Sequence, residues 1–304
     1  MSFLTATDIH KSYGKIAALR EFSLAVDKGE IFALVGPDGA GKTTFIRVLC
    51  HLIKTDHGEV NIAGYDINND FEKIKPLLGY MPQIFSLYPD LSVEENLKFY
   101  AGIYGLTGQA YESKRDYLYT FSNLGPFARR RAQALSGGMK QKLALSCALM
   151  HDPKLLILDE PTTGVDPLSR HQFWEILLQL KSEGVTILVS TPYMDEVARA
   201  DRAAFVFNGR KLSEGTPEEL TARFRGRIYF LNEEPTPALI DNLNGIEGMA
   251  VQRFGAGMHL YLAENDEIAN YEKALAQLNI AVEKLTPAAP GLEDRFIQLT
   301  ESGA

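Results

Sequence analysis

Only two cysteines, Cys50 and Cys147, occur in 304 residues, far apart and without the close pairing of a metal knuckle. A disulfide framework or structural zinc site is therefore not expected, and a reducing compartment fits the chain. Positive charge is also short, with 31 Lys and Arg against 39 Asp and Glu, a formal net charge of -8. Neutralising a phosphate backbone needs a basic surface, so no nucleic-acid partner is expected. No apolar run approaches the roughly 20 residues of a membrane helix, and pieces such as Leu155 to Leu158 have the length of buried strands. The first residues lack a basic segment followed by an apolar stretch and a small-residue cleavage site, so export is not expected. What the chain does have is 45% hydrophobic and 23% charged residues, enough for a sizeable core and a length that suits two domains.

Apolar spacing divides the chain. Residues 1 to 30 alternate short strand-like pieces with turns at Tyr13-Gly14 and Lys28-Gly29, ahead of an uninterrupted apolar strand, Ile31 to Val35. Phe45, Ile46, Val48, Leu49 and Leu52 then recur with helical spacing, which makes residues 36 to 44 a strand-to-helix loop. Val93, Leu97, Tyr100, Ala101 and Tyr104 open a helical insertion over about 90–150. Strands return at Leu155 to Leu158 and Val185 to Val189, around the amphipathic stretch Phe173 to Leu180, and this alternation predicts an α/β fold with a mostly parallel sheet. Beyond Gly215-Thr216-Pro217 the character changes to strands at Arg227 to Leu231, Gly248 to Phe254 and Met258 to Leu262, with helical pieces around Ala238 and Ala274. The expected domains are 1–220 and a small α+β domain over 221–304, whose seven basic and twelve acidic residues argue against a grip on anionic lipid or nucleic acid.

Gly36-Pro37-Asp38-Gly39-Ala40-Gly41-Lys42-Thr43 fits G-x-x-x-x-G-K-[ST] between a strand and a helix, the setting that a phosphate loop requires. Glycines let successive N–H groups turn inward around phosphate oxygens, and the helix that starts near Thr44 aims its positive end at the same anion. Lys42 is expected at the β and γ phosphates of a nucleotide, with the Thr43 hydroxyl on Mg²⁺. The strand Leu155 to Leu158 ends in Asp159-Glu160, a costly placement for two acids unless they serve a cation or a proton transfer. Asp159 would hold the Mg²⁺ shell, and Glu160 would orient and deprotonate an attacking water.

Leu135-Ser136-Gly137-Gly138-Met139-Lys140-Gln141 resembles the signature of the ATP-binding-cassette (ABC) ATPases. Physically it offers a serine hydroxyl and bare N–H groups at a helix start, a second anion site. The resemblance implies a P-loop NTPase fold with an antiparallel β subdomain and a helical subdomain. It also implies two ATP molecules sandwiched in a head-to-tail dimer, each facing Ser136, Gly137, Gly138 and Gln141 of the other subunit. Tyr13 is similar to the family's adenine-stacking aromatic residue, and Gln83, in Tyr80-Met81-Pro82-Gln83, to its glutamine that touches Mg²⁺ and water. Asp166, in Gly164-Val165-Asp166-Pro167, resembles the residue that communicates across the dimer, and Leu292 to Phe296 resembles the end of the C-terminal extension of many bacterial exporter ATPases. In that light the chain is expected to be an ATP-hydrolysing exporter subunit, on the cytoplasmic face of the plasma membrane, working with a separate permease and a second ATP-binding subunit, identical or not. Ile84 to Leu91, with Phe85, Leu87, Tyr88 and Leu91, would give the permease helix an apolar groove if exposed, or pack internally if not.

Two positions depart from the family pattern. After Val185 to Val189 the family has Ser or Thr and then His, whereas Ser190-Thr191 is followed here by Pro192, and no histidine occurs between His171 and His259. Proline has neither a side-chain donor nor a backbone N–H, so the γ-phosphate loses one contact. Asp38 also stands where Asn is commoner. Both features resemble the first half of exporters whose ATPase carries two unequal halves. Two alternatives follow: a degenerate nucleotide-binding regulatory subunit paired with a second competent ATPase, and a soluble ABC ATPase outside transport.

Overall fold

The computed structural model describes residues 2–301; residue 1 and residues 302–304, the outer ends of the two expected domains, lie outside the described residues. The chain separates into two compact units, Met1–Pro217 and Glu218–Ala304. In chain order the first contains β1 (Ser2–Tyr13), β2 (Ile16–Asp27), β3 (Ile31–Val35), α1 (Lys42–Leu49), β4 (His57–Ile62), β5 (Tyr65–Asp66), α2 (Phe71–Ile74) and β6 (Leu78–Met81). It continues with α3 (Val93–Ile103), α4 (Gly108–Ser122), α5 (Gly137–Ala148), β7 (Leu155–Asp159), α6 (Pro167–Ser182), β8 (Thr186–Thr191), α7 (Met194–Val197), β9 (Arg202–Phe207) and β10 (Arg210–Gly215).

Two sheets carry these elements. One is antiparallel, in the order β2-β1-β4-β5, and the other runs β10-β9-β3-β8-β7-β6, parallel in every pairing except β9 with β10. The strands β3, β7 and β8 are buried at every residue, as a parallel sheet covered on both faces requires, and this is why their sequences read as unbroken apolar runs. Phe22, Leu34, Phe45, Ile157 and Leu188 belong to one hydrophobic core shared by both sheets.

Residues 1 to 30 differ from the short pieces expected of them, because β1 and β2 are each 12 residues long. Their pairing shifts register several times, and Asp8 and Glu21 adopt left-handed backbone, each with φ 51°. Every bulge breaks the two-residue alternation, so one long strand looks in sequence like several short ones. The helix expected to reach Leu52 also stops early: α1 ends at Leu49, His51 turns left-handed (φ 53°), and Leu52 is 59% exposed.

The helical segment starts on a complete capping box. The Ser92 side chain accepts from the Glu95 N–H at 3.2 Å, and the Glu95 carboxylate accepts from the Ser92 N–H at 2.7 Å. Asn96, fully buried, donates to the carbonyls of Tyr88 (3.1 Å), Leu91 (3.3 Å) and Ser92 (2.9 Å) and accepts from the Tyr88 N–H (3.1 Å), which ties the preceding loop to α3.

The second unit contains α8 (Pro217–Ala222), whose first residue belongs to the first unit, then β11 (Arg227–Leu231), α9 (Pro237–Asn244), β12 (Met249–Phe254), β13 (Gly257–Leu262), α10 (Glu272–Gln277), β14 (Leu285–Ala288) and α11 (Leu292–Glu301). Its antiparallel sheet runs β12-β13-β11-β14 over a separate core that includes Leu243, Leu260 and Leu275. Asp294, in the family-like ending of the chain, accepts from the Tyr261 hydroxyl (2.8 Å) and the Gly291 N–H (2.6 Å) and pairs with His259 Nδ1 (2.7 Å), a buried knot within this unit.

Ser92→Ala removes the side-chain half of the capping box, and a loss of about 1 kcal/mol in urea unfolding of the first unit is expected. An unchanged midpoint and slope would show that the box does not hold α3.

Candidate functional site

At the end of β3, Gly36 passes so close to β9 that a Cβ there would lie 2.1 Å from the Val206 carbonyl oxygen. At Gly41, where φ is 107°, a Cβ would lie 2.6 Å from the Ala18 carbonyl oxygen, so both ends of the loop need glycine for steric reasons. Gly41 is the N-cap of α1 without a side-chain cap, and no acidic residue stands in the first turn, so the helix N–H groups stay available to an anion. Asp38, Gly39, Ala40, Gly41, Lys42, Thr43 and Thr44 line a cleft of about 600 Å³ with Gln83 and Glu160. Pro37 contributes its carbonyl to Lys42 rather than a wall to the cleft.

Lys42 is 3% exposed: it donates to the carbonyls of Gly36 (2.8 Å) and Pro37 (3.0 Å) and forms an ion pair with Glu160 Oε1 (3.0 Å). Glu160, 4% exposed and left-handed (φ 49°), accepts at Oε2 from Gln83 Nε2 (3.0 Å) and the Thr163 hydroxyl (3.3 Å). Asp159 Oδ1 accepts from the hydroxyls of Thr43 (3.1 Å) and Ser190 (2.8 Å). The Ser190 hydroxyl in turn accepts from the Glu160 N–H at 3.0 Å. Burial holds the Asp159 carboxyl above its usual range, against the lowering effect of those two hydroxyls, and the Glu160 charge pushes the same way. A neutral hydroxyl oxygen, Thr43 Oγ1, beside a carboxylate oxygen, Asp159 Oδ1, offers the hard oxygen donors that Mg²⁺ favours, so these residues fit the ion expected from sequence.

Other expected residues lie elsewhere. Tyr13 is at the end of β1, 46% exposed with Lys11 Nζ 5.9 Å from its ring centre, and does not line the cleft; Ile16, Ala17 and Ala18 do. Ser136 caps α5 by accepting from the Met139 N–H at 3.3 Å, and Asp166 caps α6 by accepting from the Ser169 N–H at 2.9 Å. These two helix starts pack together, since a Cβ on Gly138 would meet Ser169 Cβ and Oγ at 2.6 Å. Ser136, Gly137, Gly138 and Asp166 thus form a second group, and neither they nor Gln141, farther along α5, line the cleft.

Pro192 directly follows β8. Around it the structure shows a network that the sequence did not single out. Buried Glu196 accepts from the hydroxyls of Thr162 (2.6 Å) and Thr191 (2.5 Å), and the Arg170 guanidinium lies 4.0 Å over the Tyr193 ring. Ser190 and Glu196 were visible only as members of a polar run, with no spacing that marked them as partners of buried acids.

The segment Ile84 to Leu91 divides between the two alternatives. Leu87 is buried, whereas Ile84 is 79% exposed and Tyr88 46%, with the Tyr88 ring edge-on to Phe99. Pro82, Ser86 and Leu87 form one wall of an apolar cleft of about 290 Å³, whose other walls include Phe71, Tyr100 and Cys147.

Asp159→Asn keeps the acceptor for Thr43 and Ser190 but removes the buried charge. Because the folded carboxyl binds its proton more tightly than the unfolded one, wild-type stability falls as pH rises from the ordinary Asp range through the raised value. The variant is expected to flatten that part of the profile, to be more stable than wild type near neutral pH without metal, and to lose Mg²⁺-dependent stabilisation by nucleotide. Thermal midpoints across pH, with and without Mg²⁺, check all three.

The family model described as "ABC transporter" matches residues 19–163. The chain is 40% identical over 236 residues to the probable multidrug ABC transporter ATP-binding protein YbhF of Escherichia coli; the match takes in 78% of this chain but only 40% of that relative, so the chain spans about two fifths of its length. It is 33% identical over 305 residues to the linearmycin resistance ATP-binding protein LnrL of Bacillus subtilis, with 98% of each chain covered. Among solved structures, a dimeric bacterial ABC transporter cassette matches with TM-score 0.64 at 27% identity, over 70% of this chain and 98% of that one. The phosphate loop, the two acids and the capped serine-glycine helix thus stand on a cassette fold that these likenesses share, and the chain belongs to the family of ABC transporter ATP-binding proteins.

Proposed function

We propose that this chain is an ATP-binding and ATP-hydrolysing subunit of an exporter, which couples nucleotide-driven closure of a dimer to movement of a separate permease. The observation that carries the reading is the contact of Lys42 with Glu160 inside the phosphate-loop cleft. Lys42 already donates to two loop carbonyls and is ion-paired with Glu160, so a bound phosphate would compete with its present partners for the ammonium. The Glu160 contact is the one that can yield, since the two carbonyls belong to the loop itself. Phosphate entry would then release the Glu160 carboxylate, still oriented by Gln83 and Thr163, to accept a proton from water. Mg²⁺, held by Thr43, Asp159 and Gln83, would supply charge neutralisation at the phosphates. Tyr13 would stack on adenine, from its exposed position at the tip of β1.

Ser136, Gly137, Gly138, Gln141 and Asp166 do not line this chain's own cleft, which supports a head-to-tail partner whose cleft they would complete. The apolar cleft beside Pro82 and Leu87 offers the permease helix a seat on the segment that carries Gln83, and it would hold the chain at the cytoplasmic face of the membrane. Among the described residues no helix is long and apolar enough to cross a membrane. The likeness to multidrug-transporter and linearmycin-resistance ATP-binding proteins favours this setting over a soluble ATPase acting on DNA or ribosomes.

Pro192 supports a second reading, in which this subunit binds ATP but turns it over slowly beside a competent partner. In the purified chain, Lys42→Ala is expected to abolish nucleotide binding, and Glu160→Gln to lower hydrolysis by about 10²- to 10⁴-fold while binding persists. Pro192→His is expected to raise hydrolysis, by up to roughly 10²- to 10³-fold if the absent donor alone limits the rate. Ordinary transporter rates in wild type, abolished by Glu160→Gln and unmoved by Pro192→His, would remove the second reading. Rates indifferent to Glu160 would remove the first. Ser136→Arg is expected to block nucleotide-dependent dimerisation of the Glu160→Gln protein in analytical ultracentrifugation, and dimers that persist would contradict the head-to-tail arrangement.

A further inference from the structure

We propose that Asp8, His10 and His57, on the outer face of the antiparallel sheet of the first unit, form a binding site for a divalent transition ion of the Zn²⁺ class. The three side chains come together because β1 is bulged. Its buried positions are Leu4 and Ala6 before the bulge and Ile9 after it, so the alternation changes phase between Ala6 and Ile9. Asp8, left-handed at φ 51°, and His10 thereby flank Ile9 on the outer face. On the neighbouring strand β4, His57 is directly opposite His10 in the register, and the ring centres are 5.7 Å apart at 87°. Gly58 makes this approach possible, since a Cβ there would lie 2.4 Å from the Asp8 carbonyl oxygen.

The Asp8 carboxylate lies between the rings, with Oδ1 2.9 Å from His10 Nε2 and Oδ2 3.3 Å from His57 Nδ1, and one donor atom from each residue falls within 4.8 Å of the others. Donor atoms bonded at about 2.0–2.1 Å in a tetrahedron are about 3.3 Å apart, so little movement would place all three on one ion. Two imidazoles and one carboxylate suit Zn²⁺, Co²⁺ or Ni²⁺ rather than Mg²⁺ or Ca²⁺, which prefer oxygen alone. The side chains are 38% (His10), 47% (Asp8) and 71% (His57) exposed, which leaves a fourth position to water and the site open to exchange. The ion would clip β1 to β4 beside the existing pairing of Lys11 with Asp56 at 2.8 Å.

The test is a titration of the intact protein with Co²⁺ in excess Mg²⁺, so that the nucleotide cleft does not contribute, followed by visible absorption and by the thermal midpoint. One equivalent with d–d bands of four- or five-coordinate Co²⁺, a raised midpoint, and displacement by Zn²⁺ are expected. His57→Ala, Asp8→Asn and His10→Ala should each weaken binding by at least about tenfold, while His171→Ala should leave it unchanged. His57 is the most exposed of the three, so its variant folds as wild type and decides the matter if His10→Ala disturbs the bulge. Absence of the bands in wild type, or bands unaltered in His57→Ala, overturns the site and leaves the cluster as an Asp–His hydrogen-bond pair; neither result bears on the nucleotide cleft.

Discussion

Lys42, Asp159 and Glu160 lie almost wholly out of water where β3 and β7 end, and much of the first unit is arranged so that they can remain there. A buried charge without a partner costs several kcal/mol, and losing one member of a buried pair leaves the other exposed to the whole of that penalty. The partners come from separate parts of the chain: Gly36 and Pro37 from the loop, Thr43 from α1, Gln83 from the stretch after β6, and Ser190 from β8. A parallel sheet makes this convergence possible, because β3, β6, β7 and β8 all end on the same side. The cluster nevertheless has two carboxylates for one ammonium. Burial, with a smaller push from the neighbouring Glu160 charge, holds the Asp159 carboxyl above its usual range, and a cation at the Thr43–Asp159 pair is the natural way to relieve it.

The Lys42–Glu160 ion pair bears on both binding and chemistry. Under the proposed reading, phosphate competes with Glu160 for the Lys42 ammonium, so occupation of the loop and freedom of the general base are two sides of one exchange. Gln83 extends the link physically, for its amide holds Glu160 while the residues around it, Pro82 and Leu87, wall the apolar cleft. A helix seated in that cleft would bear on the segment that orients the carboxylate. This is contiguity of packed groups, and the energetic coupling it suggests is what variants at Gln83 would measure.

Much of the fold was legible because burial on both faces of a parallel sheet leaves strands such as Ile31–Val35 and Leu155–Leu158 with no polar interruption. The phosphate loop and the two acids were legible for a related reason: glycines and paired carboxylates are costly where they stand unless they bind something. The early strands were not, because bulges at Asp8 and elsewhere scramble the alternation that reveals a strand. Leu52 was misplaced because periodicity says where a helix face runs but not where a left-handed residue such as His51 ends it. Ser190 and Glu196 were hidden for a third reason. Their importance lies in partners far along the chain, Asp159 at 2.8 Å and Thr162 at 2.6 Å, and no local pattern encodes those meetings.

Pro192 stands in a well-connected loop. Thr191 reaches Glu196, Glu196 ties the loop to Thr162, and Arg170 covers Tyr193. The difference from the family pattern is therefore chemical: one donor is missing from a loop that is otherwise held in place. In the proposed head-to-tail dimer each nucleotide is shared, taking its phosphate loop and post-β8 loop from one chain and its serine-glycine helix from the other. The first of these surfaces carries Pro192 where the family resemblance would place His, while on the second Ser136 caps α5 and Gly138 fits against Ser169. Such a subunit could be slow at its own nucleotide and yet complete its partner's site in full, which makes an unequal pair mechanically sufficient: one site to hold the dimer closed and one to open it.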